Sequence, residues 1–373
     1  MLMPLQHTPL DPAHVSPAVA RVIAPTTPAP AKMMAARGLV PMGPGDLLTV
    51  LYQLQLDADP QLAGAAKQSG ERLPDNILGP ALAGPLDPRV IDLFSSQVIA
   101  KPEVMRQVLL NPYTHDETFV TLAGQLREAE LEILAQNAQR LLRTPAIIEA
   151  LYFNKNARMS TVDRLLELAI RNGLVLDKIP QYKELVTAIM GATPASQASP
   201  EPVVAPEGQM DDVFASVLSE GYDEGPVGEL EYEEKEETGR NEQTISKMSI
   251  NAKIRLATLG NVFHRMTLIR DSNRLVAMAA IKSPGVSEQE VVKYASNRGL
   301  SEDVIRYICD RREWQKSYAV KLALANNPKT PLAHAMRLLT HLRGNDLRAL
   351  TRSKNIPAQV VQAARRHMNK KSG

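Results

Sequence analysis

Apolar residues recur at spacings of three and four along most of the chain, which places one apolar stripe on an α-helix face. Such stripes are Phe119/Leu122, Val162/Leu165/Leu166/Leu168, Val291/Val292/Ala295, Leu332/Met336/Leu339 and Val360/Val361/Ala364. The runs are short, and a short helix buries a single stripe only by packing on a neighbour. The pattern therefore predicts an all-α fold of short, stacked helices.

Each stripe follows a turn rich in asparagine, serine and proline. In the clearest turn, Asn327-Pro-Lys-Thr-Pro331, the first proline ends a helix because it lacks an N–H. Thr330 is then placed to cap the next helix, with Pro331 at its first position. Looser copies begin at Asn111, Asn154, Ser283 and Ser353. The pairs that fit a capping box are Thr114/Glu117, Ser287/Glu290 and, in a weaker version, Ser160/Asp163.

The distances between these turns suggest a repeat. Asn111 to Asn154 is 43 residues and Ser283 to Asn327 is 44, both within the ~40–47 typical of two- or three-helix solenoid repeats. Asn327 to Ser353 is only 26, so the array is irregular or loses a helix near its end. We therefore predict two α-solenoid-like helical-repeat modules. The alternative is an irregular bundle in which asparagine and proline merely mark loops.

These turns resemble those of the HEAT/armadillo-like helical-repeat superfamily. The short N-P-x-T-P units followed by a helix also look like bacterial leucine-rich-repeat-variant proteins. The resemblance covers Leu47–Gly191 and Ser246–Met368. It implies an α-solenoid that binds macromolecules and shares no catalytic residues. The variant proteins can also carry a cysteine-ligated iron–sulfur domain, but this chain has one cysteine, so that feature does not carry over and no cofactor is expected.

Composition divides the chain into four segments. Residues 1–46 are rich in proline and alanine, which predicts a disordered tail. The two predicted helical-repeat modules are residues 47–191 and 246–373. Between them, residues 192–245 predict a disordered acidic linker, because residues 201–242 hold 14 acidic residues against two basic ones.

One stretch of the linker differs from its surroundings. Residues 211–220 predict a short helix with Val213, Phe214, Val217 and Leu218 on one face. This segment is either a transient helix without consequence or a docking motif that folds on binding. An intramolecular contact between the acidic linker and the basic module is a further prediction, because a tether raises the local concentration of the two segments.

The charge balance reverses in the last segment. Residues 246–373 carry 24 Lys/Arg against 8 Asp/Glu, a strong basic excess that the net charge of +2 for the whole chain hides. The densest basic stretch also holds the only tryptophan. Aromatic residues among cations are typical of interface hot spots. The predicted partner-binding residues are Arg311, Arg312, Trp314, Lys316 and Tyr318. The alternative is that Trp314 fills the core between helices while its neighbours are solvated.

No stretch carries a recognisable catalytic or metal-binding motif. The sequence has no glycine-rich phosphate loop, no dinucleotide fingerprint and no H-E-x-x-H, and its histidines lack metal-ligand spacing. Cys309 fits a packing position beside Ile308 better than a reactive thiol. We expect no enzyme and no metal site. The lone cysteine, and the lack of a signal-peptide pattern or long apolar run, predict a cytoplasmic protein without membrane insertion.

Three functions are compatible with these features to different degrees. The first is a non-catalytic protein–protein interaction scaffold or adaptor, whose basic module binds an acidic protein. The second is nucleic-acid binding, in which Lys and Arg follow the phosphates and Trp314 or Tyr318 stacks on a base. The third, a helical-repeat DNA glycosylase, needs a carboxylate among aromatic residues and fits a chain with one tryptophan poorly. The sequence favours the scaffold.

Overall fold

The computed structural model describes residues 5–191, 207–219, 242–353 and 355–371. Every regular element among these residues is a helix, which confirms the all-α prediction for the described part of the chain. The chain divides into two compact units, Met1–Leu176 and Asp177–Gly373. Within the described ranges, no helix is long and apolar enough to cross a lipid bilayer.

The first unit is a succession of short α-helices with two 3-10 turns, Pro12–His14 and Ser96–Val98. Its α-helices are α1 (Pro17–Ile23), α2 (Ala29–Ala36), α3 (Pro44–Gln55), α4 (Pro60–Glu71), α5 (Asp75–Ala83), α6 (Pro88–Ser95), α7 (Pro102–Leu110), α8 (Asp116–Ala123), α9 (Glu128–Ala135), α10 (Ala138–Arg143), α11 (Ala146–Phe153) and α12 (Met159–Arg171).

The second unit continues in the same style, with one 3-10 turn at Trp314–Lys316 and a helical stretch at residues 242–246. Its other α-helices are α13 (Tyr182–Gly191), α14 (Glu207–Ser219), α15 (Ile250–Leu259), α16 (Val262–Leu268), α17 (Arg274–Lys282), α18 (Glu288–Ser296), α19 (Glu302–Asp310), α20 (Tyr318–Ala325), α21 (Leu332–Leu339), α22 (Gly344–Arg352) and α23 (Ala358–Lys371).

Many helices pack against the next helix but one as well as against their sequence neighbour. In the first unit α3 contacts α5, α5 contacts α7 and α7 contacts α9. In the second unit α15 contacts α17, α17 contacts α19, and α18 contacts α20. Each of these helices thus packs against at least two others, which buries apolar surface that a helix too short to be stable alone cannot bury by itself.

Buried asparagines connect successive turns. The Asn327 amide Nδ2 donates to the carbonyl oxygens of Ala295 (2.7 Å) and Asn297 (3.1 Å), and its Oδ1 accepts from the Lys329 N–H (3.0 Å). Two further asparagines bond in the same way, Asn111 to Leu82 and Gly84 and Asn154 to Ala123 and Leu126. We call this arrangement the asparagine turn. It satisfies helix-terminal carbonyl groups that have no partner within their own helix.

The asparagine turns join segments closer in sequence than the spacing of 43 or 44 residues suggested. Each amide reaches carbonyls 27 to 32 residues upstream. A turn at Asn297, which the sequence analysis missed, lies between Ser283 and Asn327, and its Oδ1 accepts from the Gly299 N–H (2.8 Å). The spacing of 44 residues between Ser283 and Asn327 therefore spans an additional turn.

Two predicted threonine caps are wrong. The Thr330 hydroxyl donates back to the Leu324 carbonyl (2.6 Å), and Pro331 occupies the N-cap position of α21 without a side-chain cap. Thr114 likewise donates to Val108 (2.7 Å), and His115 caps α8. Both threonines are buried, where a hydroxyl that completes the preceding helix end satisfies two polar groups at once.

Of the two remaining predicted caps, one is confirmed and one is wrong. The predicted Ser287/Glu290 capping box of α18 is confirmed. Ser160 does not cap α12, because that helix already begins at Met159 after Arg158. The side chains of Asp59 and Ser301 cap α4 and α19.

The disordered tail predicted for residues 1–46 is wrong for its described part. Residues 12–14 form a 3-10 turn, and both α1 and α2 place proline in the first helical turn, where its missing N–H has no cost. Leu10 and Val19 are buried. The Leu10 N–H donates to Gln53 Oε1 (2.8 Å), and the Tyr52 hydroxyl donates to the Thr8 carbonyl (3.0 Å). Proline density marked helix starts here, not disorder.

Most of the predicted acidic linker lies outside the described residues, namely 192–206 and 220–241. Its short helix, predicted at 211–220, corresponds to α14, Glu207–Ser219. Next to the start of the second predicted module, Ile245 and Met248 are buried.

Candidate interaction surface

Two of the five predicted partner-binding residues meet around a residue that the prediction missed, Tyr307 on α19. The Tyr307 and Trp314 rings pack edge to face with centroids 5.9 Å apart. The Arg311 guanidinium carbon lies 4.9 Å and the Lys282 Nζ 5.8 Å from the Tyr307 ring centroid. We call these four residues the Tyr307 cluster.

Local helix geometry explains part of this arrangement. Tyr307 and Arg311 are four residues apart, so they lie on one face at the end of α19. Arg311 Nε donates to the Tyr307 hydroxyl at 2.8 Å. Trp314 starts the 3-10 turn that follows α19 and is only half-buried, as is Tyr307. Both rings therefore keep part of their surface in solvent, surrounded by two exposed cations.

The other three predicted residues lie elsewhere. Tyr318 packs under Arg343, whose guanidinium carbon is 4.7 Å from the ring centroid, and its hydroxyl is hydrogen-bonded to Asp346. Lys316 is exposed at the end of the 3-10 turn. Arg312 lines a separate cleft with residues of α20 and α21. The basic stretch thus contributes to three surfaces, and only the Tyr307 cluster brings two of the five predicted residues together.

The proposed docking motif, on α14, is packed against another helix of the second unit, α15. Phe214 and Val217 are buried, Val213 and Leu218 are half-buried, and α14 contacts α15. The Arg255 guanidinium carbon lies 4.9 Å from the Phe214 ring centroid, and Arg255 itself is fully buried. The apolar face of α14 therefore covers a buried arginine.

His264 links α14 to α16. Its Nδ1 accepts from the Asn261 N–H (3.2 Å) within a capping box, and its imidazole hydrogen-bonds to the Val217 backbone. Burial, with a smaller contribution from Arg265, lowers the pKa of His264 to about 4. The ring is therefore neutral near pH 7 and makes a hydrogen bond through each nitrogen.

Among the described residues of this unit, the ion pair between Arg265 and Glu290 is buried and has a structural role. Arg265 forms a double hydrogen bond with Glu290, both at 2.9 Å, and Tyr294 donates to Glu290 at 3.0 Å. Burial alone would raise the pKa of Glu290, but the bonds from Arg265 and the Ser287 N–H hold it below its usual value. A carboxylate with all its partners supplied by the fold is unsuited to acid–base catalysis.

Cys309 is also structural. Burial, reinforced by Asp310, raises the pKa of its thiol to about 12, so it is protonated and unreactive near neutral pH. Within the described ranges, no group of three or more His, Cys, Asp or Glu side chains has a geometry that could hold a metal ion.

Comparison with known proteins found no matching family model, no matching curated protein and no matching solved structure.

Proposed function

We propose that this chain is a non-catalytic protein–protein interaction scaffold or adaptor whose helical-repeat modules, residues 47–191 and 246–373, are α-solenoids of HEAT-like repeats. The asparagine turn is the observation that carries the proposal. The same amide makes the same pair of upstream bonds at Asn111, Asn154 and Asn327. Such recurrence is typical of a chain that adds one helical layer after another.

A stack of this kind suits binding better than catalysis. Each layer contacts chiefly its neighbours, so the stack presents an extended surface to which successive helices contribute. The buried side chains of Arg265 and Glu290 in the second unit form hydrogen bonds with each other, so they are not available to bind a substrate. Binding energy would therefore come from exposed side chains.

The Tyr307 cluster is the surface that best fits a partner. Two partly exposed aromatic rings offer apolar area, and Lys282 and Arg311 offer charge. Tyrosine, tryptophan and arginine are the residues most enriched at interface hot spots. The two cations and the basic excess of residues 246–373 favour an acidic protein as the partner.

A tagged full-length chain, purified from the cells that produce it after nuclease treatment, tests this proposal. The cluster variant carries Lys282→Glu and Arg311→Glu. The matched control carries Arg348→Glu and Arg352→Glu, exposed arginines of α22 with the same change in charge. We expect the wild type and the control to retain a protein partner that the cluster variant loses. Equal retention by both variants would place the binding surface elsewhere, and an absence of any co-purified protein would contradict the scaffold.

Nucleic-acid binding is the second candidate, because the Tyr307 cluster also combines the two features of single-strand sites, ring surface and cations. A gel-shift assay with generic single-stranded and duplex DNA at about 50 and about 200 mM salt separates the two functions. Binding that weakens steeply with salt, and that the cluster variant alone loses, would favour nucleic acid over protein.

A further inference from the structure

A cleft in the second unit collects cations from three consecutive elements. It has a volume of about 470 Å³, within the range of ~300–1,000 Å³ typical of small-molecule sites. One wall is formed by the end of α19 and the segment that follows it. The other walls are formed by α20, by α21 and by His341, which lies just after α21. The lining residues are Cys309, Asp310, Arg312, Gln315, Lys321, His334, Arg337, Leu338 and His341. We call this the basic cleft.

The charges of the basic cleft are unbalanced. Arg312, Lys321 and Arg337 contribute three basic side chains, and the only acidic side chain in the lining is Asp310. Asp310 already faces His334, with 3.5 Å between its Oδ1 and the histidine Nε2. Among the described residues, none of the three cations forms an ion pair with a carboxylate. Three basic side chains against one carboxylate leave an excess of positive charge in the cleft, and a bound anion would relieve the repulsion between the cations.

The hydrogen-bond donors in the basic cleft also suit an anion. Arg337 Nη2 lies 3.0 Å from His334 Nδ1, which fixes the guanidinium against the wall formed by α21. Arginine presents a rigid fork of donors that matches the oxygens of a phosphate, and lysine adds a point charge. The neighbouring thiol of Cys309 stays protonated and adds no negative charge.

We propose that the basic cleft binds a small phosphate-bearing anion, held by Arg312, Lys321 and Arg337. A small molecule is favoured over a nucleic-acid backbone because all three cations line a single cavity of small-molecule size. Arg312 and Arg337 are exposed, so a ligand can reach them from solvent. The site is separate from the Tyr307 cluster, and the proposal does not depend on the scaffold function.

Calorimetric titration of the full chain with inorganic pyrophosphate tests the proposal, with sulfate at equal ionic strength as the comparison anion. The cleft variants are Lys321→Gln and Arg337→Gln, and the matched controls are Arg348→Gln and Arg352→Gln on α22. We expect saturable binding of pyrophosphate that each cleft variant weakens by about tenfold or more, since a bond to a charged group is lost. The controls should bind like the wild type.

Three results would overturn the proposal. They are no binding by the wild type, equal affinity in cleft and control variants, or displacement of pyrophosphate by a single-stranded oligonucleotide that binds more tightly and loses affinity in the same variants. The last result would assign the cleft to nucleic acid. Circular dichroism on each variant excludes unfolding, and Lys321→Gln preserves the Arg337–His334 contact in case Arg337→Gln disturbs α21.

Discussion

The buried asparagine amide is the smallest unit that determines how successive turns fit together. Asparagine is suited to this position because one short side chain offers two donors and an acceptor. At Asn327 it satisfies two carbonyls of an upstream turn and one N–H of its own turn. Aspartate would lose both donors, and alanine would leave one buried and two partly buried polar groups without this partner.

Asn327→Ala should therefore destabilise the second unit by about 3 kcal/mol, since each unsatisfied buried group costs about 1–3 kcal/mol and water satisfies some of them. The adjacent residue provides the control. Asn326 is half-buried, and its amide bonds only to Leu322 within its own helix (2.9 Å), so Asn326→Ala should cost less than about 1 kcal/mol. Urea unfolding of both variants measures the difference. Equal losses would show that the cross-turn bonds do not stabilise the fold.

A second residue, His264, makes stability depend on pH. Its pKa is about 4 in the folded chain against 6.5 when unfolded. Because the folded pKa is depressed, the unfolded state binds the proton first as pH falls. Stability should thus be constant above about pH 6.5 and decrease between about pH 6.5 and 4, by up to about 3 kcal/mol. Protonation also removes the Nδ1 acceptor that the Asn261 N–H uses.

Urea unfolding of the wild type and His264→Gln across this pH range measures the effect. Glutamine is an ordinary partner in a capping box, so the variant should fold and lose the part of the pH dependence due to His264. His341→Gln, at an exposed histidine, is the control and should behave like the wild type. A pH profile that is the same in all three proteins would contradict a buried, neutral His264.

At the scale of elements, α14 packs on the second unit through the buried side chains of Phe214 and Val217 and a hydrogen bond from His264 to the Val217 backbone. Phe214→Ala removes the side chain that covers Arg255 and leaves Val217 as the only fully buried apolar contact from the described face. Truncating a buried phenylalanine costs about 3–5 kcal/mol, which we expect to exceed the stability of α14 against α15. Amide hydrogen exchange should show loss of protection in α14 with no change in α18. Ser216→Ala, on the exposed face, should keep both protected. Unchanged protection in Phe214→Ala would mean that other contacts hold α14.

The sequence predicted helices well and their connections less well, for identifiable reasons. Apolar stripes and a capping box report local geometry, so the helical class and the Ser287 cap were accessible. The Thr330 hydroxyl could bond to the end of the preceding helix or cap the following one. Its burial and orientation in the fold determine that it donates to the Leu324 carbonyl of the preceding helix. Tyr307 could have been predicted from helical spacing, because it lies four residues before Arg311 and so on the same helix face. Lys282 could not have been predicted, because it is 25 residues from Tyr307 in sequence and approaches the ring only through the packing of the helices.

At the scale of the whole molecule, the charge distribution along the chain is the dominant feature. Residues 201–242 carry 14 acidic side chains against two basic ones, and residues 246–373 carry 24 basic against 8 acidic. Segments of opposite charge on one chain meet at effective concentrations of order mM when the connection is short. The acidic segment should therefore compete with any acidic ligand for the basic residues of the second unit.

Two variants separate the charge of this segment from the docking of α14. The first lacks residues 201–242 and so also removes the cover over Arg255. The second keeps α14 and replaces the nine acidic residues of 220–241 with glutamine or asparagine. Both should bind polyglutamate more tightly than the wild type at about 50 mM salt. The gain should shrink at about 200 mM salt, where charges are screened beyond about 8 Å. Tighter binding by the deletion alone would assign the effect to the surface under α14. If neither variant differs from the wild type, the acidic segment does not compete for the basic residues of the second unit.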